Sequence, residues 1–228
     1  MSRTFLDETI DSLKQDILNL AGLVSAAALE SVDALLENDN ERSKAVYLND
    51  AAINDKRFAI ENACLIAIAT QQPLATDLRE LASILEIATE LERMGDYAKG
   101  IAKINLMIEK KSTKVKSILQ LDEMVEIAVD MLQRAVHAFV DLDVETARSL
   151  PNEDDKVDAL FNEIYAGLVQ DMMDKKKHIS LASHLQWAAH HIERMADRVV
   201  NICERTIFVA TGEMNELEES DDQWVMDI

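Results

Sequence analysis

Apolar residues recur every three or four positions along almost the whole chain, and strictly alternating runs are hard to find. A period near 3.6 marks helices with one buried stripe. The pattern breaks only at short polar stretches: ENDNER at 37–42, TQQPLATD at 70–77, EKKSTK at 109–114, VDLDVE at 140–145 and KKKHISL at 175–181. Thr76 is the candidate cap of the third segment, and Gly212 marks the end of the last. These breaks predict six helices over 3–37, 41–70, 76–109, 117–141, 144–175 and 181–211. Segments of about 30 residues run about 45 Å at 1.5 Å per residue. Only 5 Gly and 2 Pro occur among 228 residues, which leaves little material for turns and favours long elements.

The halves of the pattern match. Glu92-Arg93-Met94-Gly95-Asp96 returns as Glu193-Arg194-Met195-Ala196-Asp197, an offset of 101. Asp39, Glu41 and Asp50 return as Asp143, Glu145 and Asp154, an offset of 104. The two offsets differ by a change in loop length between the second and third helix of each half. A duplicated three-helix unit follows. The predicted fold is all-α: two tandem three-helix bundles over residues 1–112 and 113–212, then an acidic tail over 213–228. Leu, Ile, Val, Ala and Met must build the core, since aromatics are only 4%.

Charge narrows the partners. A net charge of −20 repels phosphate backbones and argues against nucleic acid and against a polybasic membrane anchor. It favours cations and basic protein surfaces. Cys64 and Cys203 are too few for a disulfide framework and sit in apolar helical patterns, so both read as core thiols in a reducing compartment. The start lacks an uninterrupted apolar stretch of the secretory kind, and no window approaches 18 uncharged apolar residues, so no membrane span is expected. The tail carries seven acids and no base, which reads as a solvated extension.

The chemistry lies in carboxylates set among apolar positions. Glu92 falls between Leu85, Ala88 and Gly95 on the helix projection, with Asp96 one turn on. Glu193 and Asp197 repeat the pair inside the stripe of Leu185, Ala189, Ile192, Ala196 and Val200. A second helix of each unit adds Asp50 with Asn54, and Asp154 with Asp158. Buried carboxylates must be protonated, paired or bound to a metal, and clustered oxygens suit hard cations, or iron, manganese or zinc. The candidate metal ligands are therefore Asp50, Glu92 and Asp96 in the first unit, and Asp154, Asp158, Glu193 and Asp197 in the second. The competing reading pairs these acids with Arg93, Arg194, Lys56 and Lys156. Lys99 shares the meridian of Glu92, where a metal would not favour an ammonium; Val200 stands there in the second copy. His190, three before Glu193, is a possible extra ligand. No Gly-rich phosphate loop, HExxH or nucleophile motif appears.

Four stretches, QQPLATDLR (71–79), ELERMGDYAKGIAK (90–103), HIERMADRVVNICE (191–204) and FVATGEM (208–214), resemble the PhoU family of phosphate-signalling proteins, with a match spanning about residues 5–213. The resemblance implies paired three-helix bundles and a cytoplasmic, non-enzymatic negative regulator of phosphate uptake. It implies partners too: the ATPase subunit of a phosphate ABC transporter and a sensor histidine kinase, with the chain itself a homodimer. It also implies metal clusters on the Glu/Asp motifs, which land on the seven acids named above; iron, zinc, manganese or magnesium are the candidates. Asn54 stands where the family has Asp, Lys99 where it has Asn, and Arg198 where His is common. Two alternatives stand beside this reading: a ferritin-like di-iron carboxylate protein, whose paired ExxH signature is missing, and a purely structural acidic bundle.

Overall fold

The computed structural model describes residues 3–108, 120–214 and 217, and its regular elements are helices throughout. They are α1 (Arg3–Glu37), α2 (Asn40–Gln71), α3 (Ala75–Met107), α4 (Gln120–Asp141), α5 (Val144–Ser149), α6 (Asp154–Asp174) and α7 (Ile179–Thr211). α1, α2 and α3 form one three-helix bundle; α4, α6 and α7 form the other, with α5 against α7. One continuous apolar core runs through both, because α3 packs along α7 and α1 along α4.

The duplication is visible in the turns. α1 ends on Asn38 and α4 on Leu142, both left-handed, with φ of 57° and 53°. Each is followed by an aspartate whose N–H returns to the helix just left, Asp39 to the Ala34 carbonyl and Asp143 to that of Ala138, both at 2.8 Å. Each aspartate then caps the next helix: Asp39 accepts from the N–H groups of Glu41 and Arg42, Asp143 from those of Glu145 and Thr146. The inward faces correspond as well. Val46, Ile53, Ile60 and Cys64 of α2 are buried, and so are Leu150, Val157, Ile164 and Leu168, each 104 positions on.

Two expectations need correction. The predicted helix over 144–175 is two helices. Pro151 lacks an N–H to continue the ladder, and residues Leu150–Glu153 tighten into a 3-10 turn between α5 and α6. Thr76 is not the cap of α3; that helix begins behind Leu74, whose N–H donates to the Asp77 carboxylate at 3.2 Å. α1 also holds an 18-residue window of mean hydropathy 1.4, long and apolar enough to cross a membrane by length and composition alone, a test that the core helix of a soluble protein passes too. In the fold that window is half buried, and Ile17, Leu20, Val24 and Val32 lie inside the core. Residues 117–119 of the fourth predicted helix, and the tail beyond Met214 apart from Leu217, lie outside the described residues.

The two units meet about a local two-fold. Gly100 of α3 lies under the His191 ring of α7, where a Cβ would sit 2.7 Å from Nε2. The pair related by the 101-residue offset is Asn201 and Glu90, joined by the Asn201 amide donating to Glu90 Oε2 at 3.2 Å. Tyr97 stacks on His191 with centroids 5.6 Å apart; the related pair is Arg198 and Glu90, an ion pair at 3.2 Å. The same contacts are thus made twice with different chemistry.

Candidate functional site

In the first unit, α2 and α3 bring Asp50, Asp96 and Lys99 together. Asp50 is buried, since it occupies the inward meridian of α2 between Val46 and Ile53. Its Oδ2 accepts from Lys99 Nζ at 2.6 Å and from the Asn54 amide at 3.0 Å. The same ammonium lies 3.9 Å from Asp96 Oδ1. The hydrogen bond to Asp50 holds the Lys99 ammonium above its ordinary pKa. Glu92 is half-buried, and burial first, then the charge of Asp96, pushes its carboxyl up; Arg57 opposes this and Asp50 adds to it. Asp96 itself is exposed.

This cluster does not fit a metal ion. The positive charge that Asp50 and Asp96 require is already supplied by Lys99, whose Nζ occupies the position between them. Among the described residues, no three His, Cys, Asp or Glu side chains converge as a ready-made ligand set in either unit. Of the basic residues proposed as competitors, Lys56 pairs with Asp16, Arg93 with Glu90 and Lys156 with Glu153, and Arg194 lies over the Tyr97 ring.

In the second unit the four acids sit on facing helices, Asp154 and Asp158 on α6, Glu193 and Asp197 on α7, all half-buried. Asp154 Oδ1 and Glu193 Oε2 are closed off from solvent. His190 Nδ1 lies 2.9 Å from Glu193 Oε2. Burial, then Arg194, lowers the pKa of His190 while Asp197 raises it. With Nδ1 committed to Glu193, and the ring edge-on to Trp187 at 5.8 Å, His190 orients a carboxylate. Carboxylate oxygens drawn from two packed helices and partly withdrawn from water are the donor set that hard cations take. Val200 stands where the first unit has Lys99.

The cysteines are inert: burial raises both the Cys64 and the Cys203 thiol to about 12, far from a thiolate at neutral pH. Missed from the sequence were the partners across the unit boundary, Glu90, Tyr97, His191 and Arg198. They lie on helices whose periodicity was plain, but periodicity does not say which helices face each other.

The PhoU domain family model matches this chain twice, over residues 17–104 and 121–206. A phosphate-specific transport system accessory protein PhoU homolog of Streptococcus pneumoniae is 33% identical over 215 residues, covering 94% of this chain and 99% of the relative. PhoU homolog 1 of Methanothermobacter thermautotrophicus is 31% identical, covering 92% and 96%. The crystal structure of the phosphate transport system regulatory protein PhoU from S. pneumoniae superposes with a TM-score of 0.85 at 31% identity, covering 93% of this chain and all of that one. PhoU from Pseudomonas aeruginosa superposes equally well at 28% identity, covering 91% and 99%. With both halves matched and the fold shared end to end, this chain belongs to the PhoU family.

Proposed function

We propose that this chain is a non-enzymatic accessory regulator of phosphate-specific transport. It acts in the cytoplasm as a negative adaptor between the ATPase subunit of a phosphate ABC transporter and a sensor histidine kinase. The observation that carries the reading is the double family match, together with near-complete coverage of relatives named as accessory proteins of that transport system. Membership in this family also separates the chain from the ferritin-like alternative.

A rigid bundle pair suits such a role. Its long helices present wide faces, and its thiols are withdrawn from chemistry. We assign cation binding to the second unit alone, through Asp154, Asp158, Glu193 and Asp197, with iron, zinc, manganese or magnesium as candidates. In the first unit we read Lys99 as a built-in cation, a reading supported by its contacts to Asp50 and Asp96.

The test is genetic and biochemical. Cells lacking this gene should keep their phosphate-starvation response on in high phosphate, and the tagged protein should retain the transporter ATPase and a histidine kinase from lysate. A normal response in the deletion strain, with neither partner retained, contradicts the reading.

A further inference from the structure

The chain turns back on itself after α7. Gly212 takes the left-handed conformation beyond the last turn, with φ of 81°. Five residues later the Leu217 N–H donates to Glu204 Oε1 at 2.9 Å, and the Leu217 side chain packs against the core. Glu204 lies eight residues before Gly212, about 12 Å back along α7 at 1.5 Å per residue. The path after Gly212 is therefore antiparallel to α7. Glu204 also shares a face of that helix with Asp197, Glu193 and His190, at offsets of 7, 11 and 14 residues. The chain is thus aimed along the acidic face of the second unit. Further along that face lies an aromatic patch spanning α6 and α7. His190 meets Trp187 at 5.8 Å and Phe161 at 6.1 Å, and Phe161 meets Tyr165 at 6.3 Å, all between ring centroids. Trp187 is 59% exposed and Tyr165 43%, in a chain with only 4% aromatics. Contiguous exposed aromatic surface marks a place where something apolar docks.

We propose, resting on the cation assigned to the second unit, that the C-terminal arm over residues 218–228 closes along this face. Trp224 then sits on the aromatic patch, and Asp221 and Asp222 offer further carboxylate oxygens to the cation. The spacings agree. An extended chain advances about 3.3 Å per residue and a helix about 1.5 Å. Counted from Leu217, Asp221 and Asp222 lie about 13 and 16 Å onward; counted from Glu204, Asp197 and Glu193 lie about 10 and 16 Å back along α7. Trp224 lies about 23 Å onward, and His190 about 21 Å back. Trp224-Val225-Met226 is also the one apolar run in residues 218–228, and an extension needed only for solvation has no use for it. The closing arm brings Glu218, Glu219, Asp221 and Asp222 over Asp154, Asp158, Glu193 and Asp197. Like charges at this range repel, and a divalent cation held by oxygens from both sets makes the contact attractive. Arm closure and cation binding are therefore coupled, and each strengthens the other by the same factor.

Trp224 is the natural probe. The full-length chain has two tryptophans, and Trp187→Phe keeps a ring in the patch while leaving Trp224 as the sole emitter. Manganese is the ion, its binding followed by calorimetry, and acrylamide quenching reads the exposure of Trp224. Manganese should cut the quenching constant to less than half of its value in EDTA, by the same factor at every protein concentration. Trp187→Ala, which leaves the same sole emitter without the ring, should abolish that drop with helical circular dichroism unchanged. Truncation after Leu217, and Asp221→Asn combined with Asp222→Asn, should each weaken manganese binding about tenfold. Manganese bound with Trp224 as accessible as in EDTA overturns the arm and leaves the cation reading standing. No manganese binding, with Trp224 accessible throughout, overturns both. Shielding that grows with protein concentration also overturns the proposal, because the arm then reaches a second copy of the chain.

Discussion

Asp50 and Asp154 hold the same place in the two units, on the inward meridian of the second long helix and facing an acidic pair on the third. Among the differences around them is one along that third helix, Lys99 against Val200. In the first unit Lys99 reaches Asp50 at 2.6 Å and leaves no need for an external cation. In the second, Val200 takes the position of Lys99, and one oxygen each of Asp154 and Glu193 is closed off from water. Duplication placed corresponding acids in the two units, and in the first a lysine pairs with the buried aspartate. The units share their buried apolar positions and diverge in the partners of their polar ones.

The largest difference in stability is expected where one unit is stapled and the other is not. Asn105 of α3 is fully buried and donates to the Ala34 carbonyl at 2.9 Å and to Ser43 Oγ at 2.7 Å, pinning the α1–α2 turn. Its mate Thr206 bonds only the Ile202 carbonyl within its own helix. Asn105→Ala leaves buried acceptors without a donor and should cost about 2 kcal/mol in urea unfolding, while Thr206→Ala should cost well under half of that. Equal losses would mean that the two turns are held alike.

The unit boundary comes next. Gly100→Ala drives a Cβ into the His191 ring, which also stacks on Tyr97. Overpacking of this kind should cost about 1–2 kcal/mol. Asn201→Ala, at the related position, removes only a half-buried hydrogen bond to Glu90 and should cost about 1 kcal/mol or less. Differential scanning calorimetry separates the two.

A smaller effect depends on pH. Burial, then His190 and Arg194, lowers the pKa of His191 to about 4, against 6.5 for the free side chain. Between those values the unfolded chain binds the extra proton, so His191 costs stability as pH falls from 6.5 towards 4. Glu92 acts in the opposite sense. Its folded pKa is raised, so the folded state binds its proton first, and stability is gained as pH falls through that raised value. His191→Gln should flatten the decline of melting temperature below pH 6.5, and Glu92→Gln should steepen it. A profile unchanged by His191→Gln would show that the ring is already accessible to protons when folded.

Much of this was legible in the residues. The helices, their ends at Asp39, Asp143 and Gly212, and the duplication follow from local periodicity and capping, which a sequence carries directly. The meridian shared by Glu92 and Lys99 was also readable, and it places the lysine that pairs with Asp50. Pro151 was a visible signal given too little weight, since one residue without an N–H suffices to divide a helix. The Glu90, Tyr97, His191 and Arg198 contacts were not readable, because they depend on which of several amphipathic helices becomes the neighbour of which.

The account turns on the inequality of the two acidic sites, and metal titration of the full-length protein measures it directly. Desalted wild-type protein titrated with manganese or ferrous iron should bind at the second unit only, with binding lost in Asp197→Asn and unaffected by Asp50→Asn. Lys99→Asn should open the first unit to the metal and raise the stoichiometry. Binding that vanishes in Asp50→Asn, or a Lys99→Asn variant that binds no more than wild type, would contradict the account.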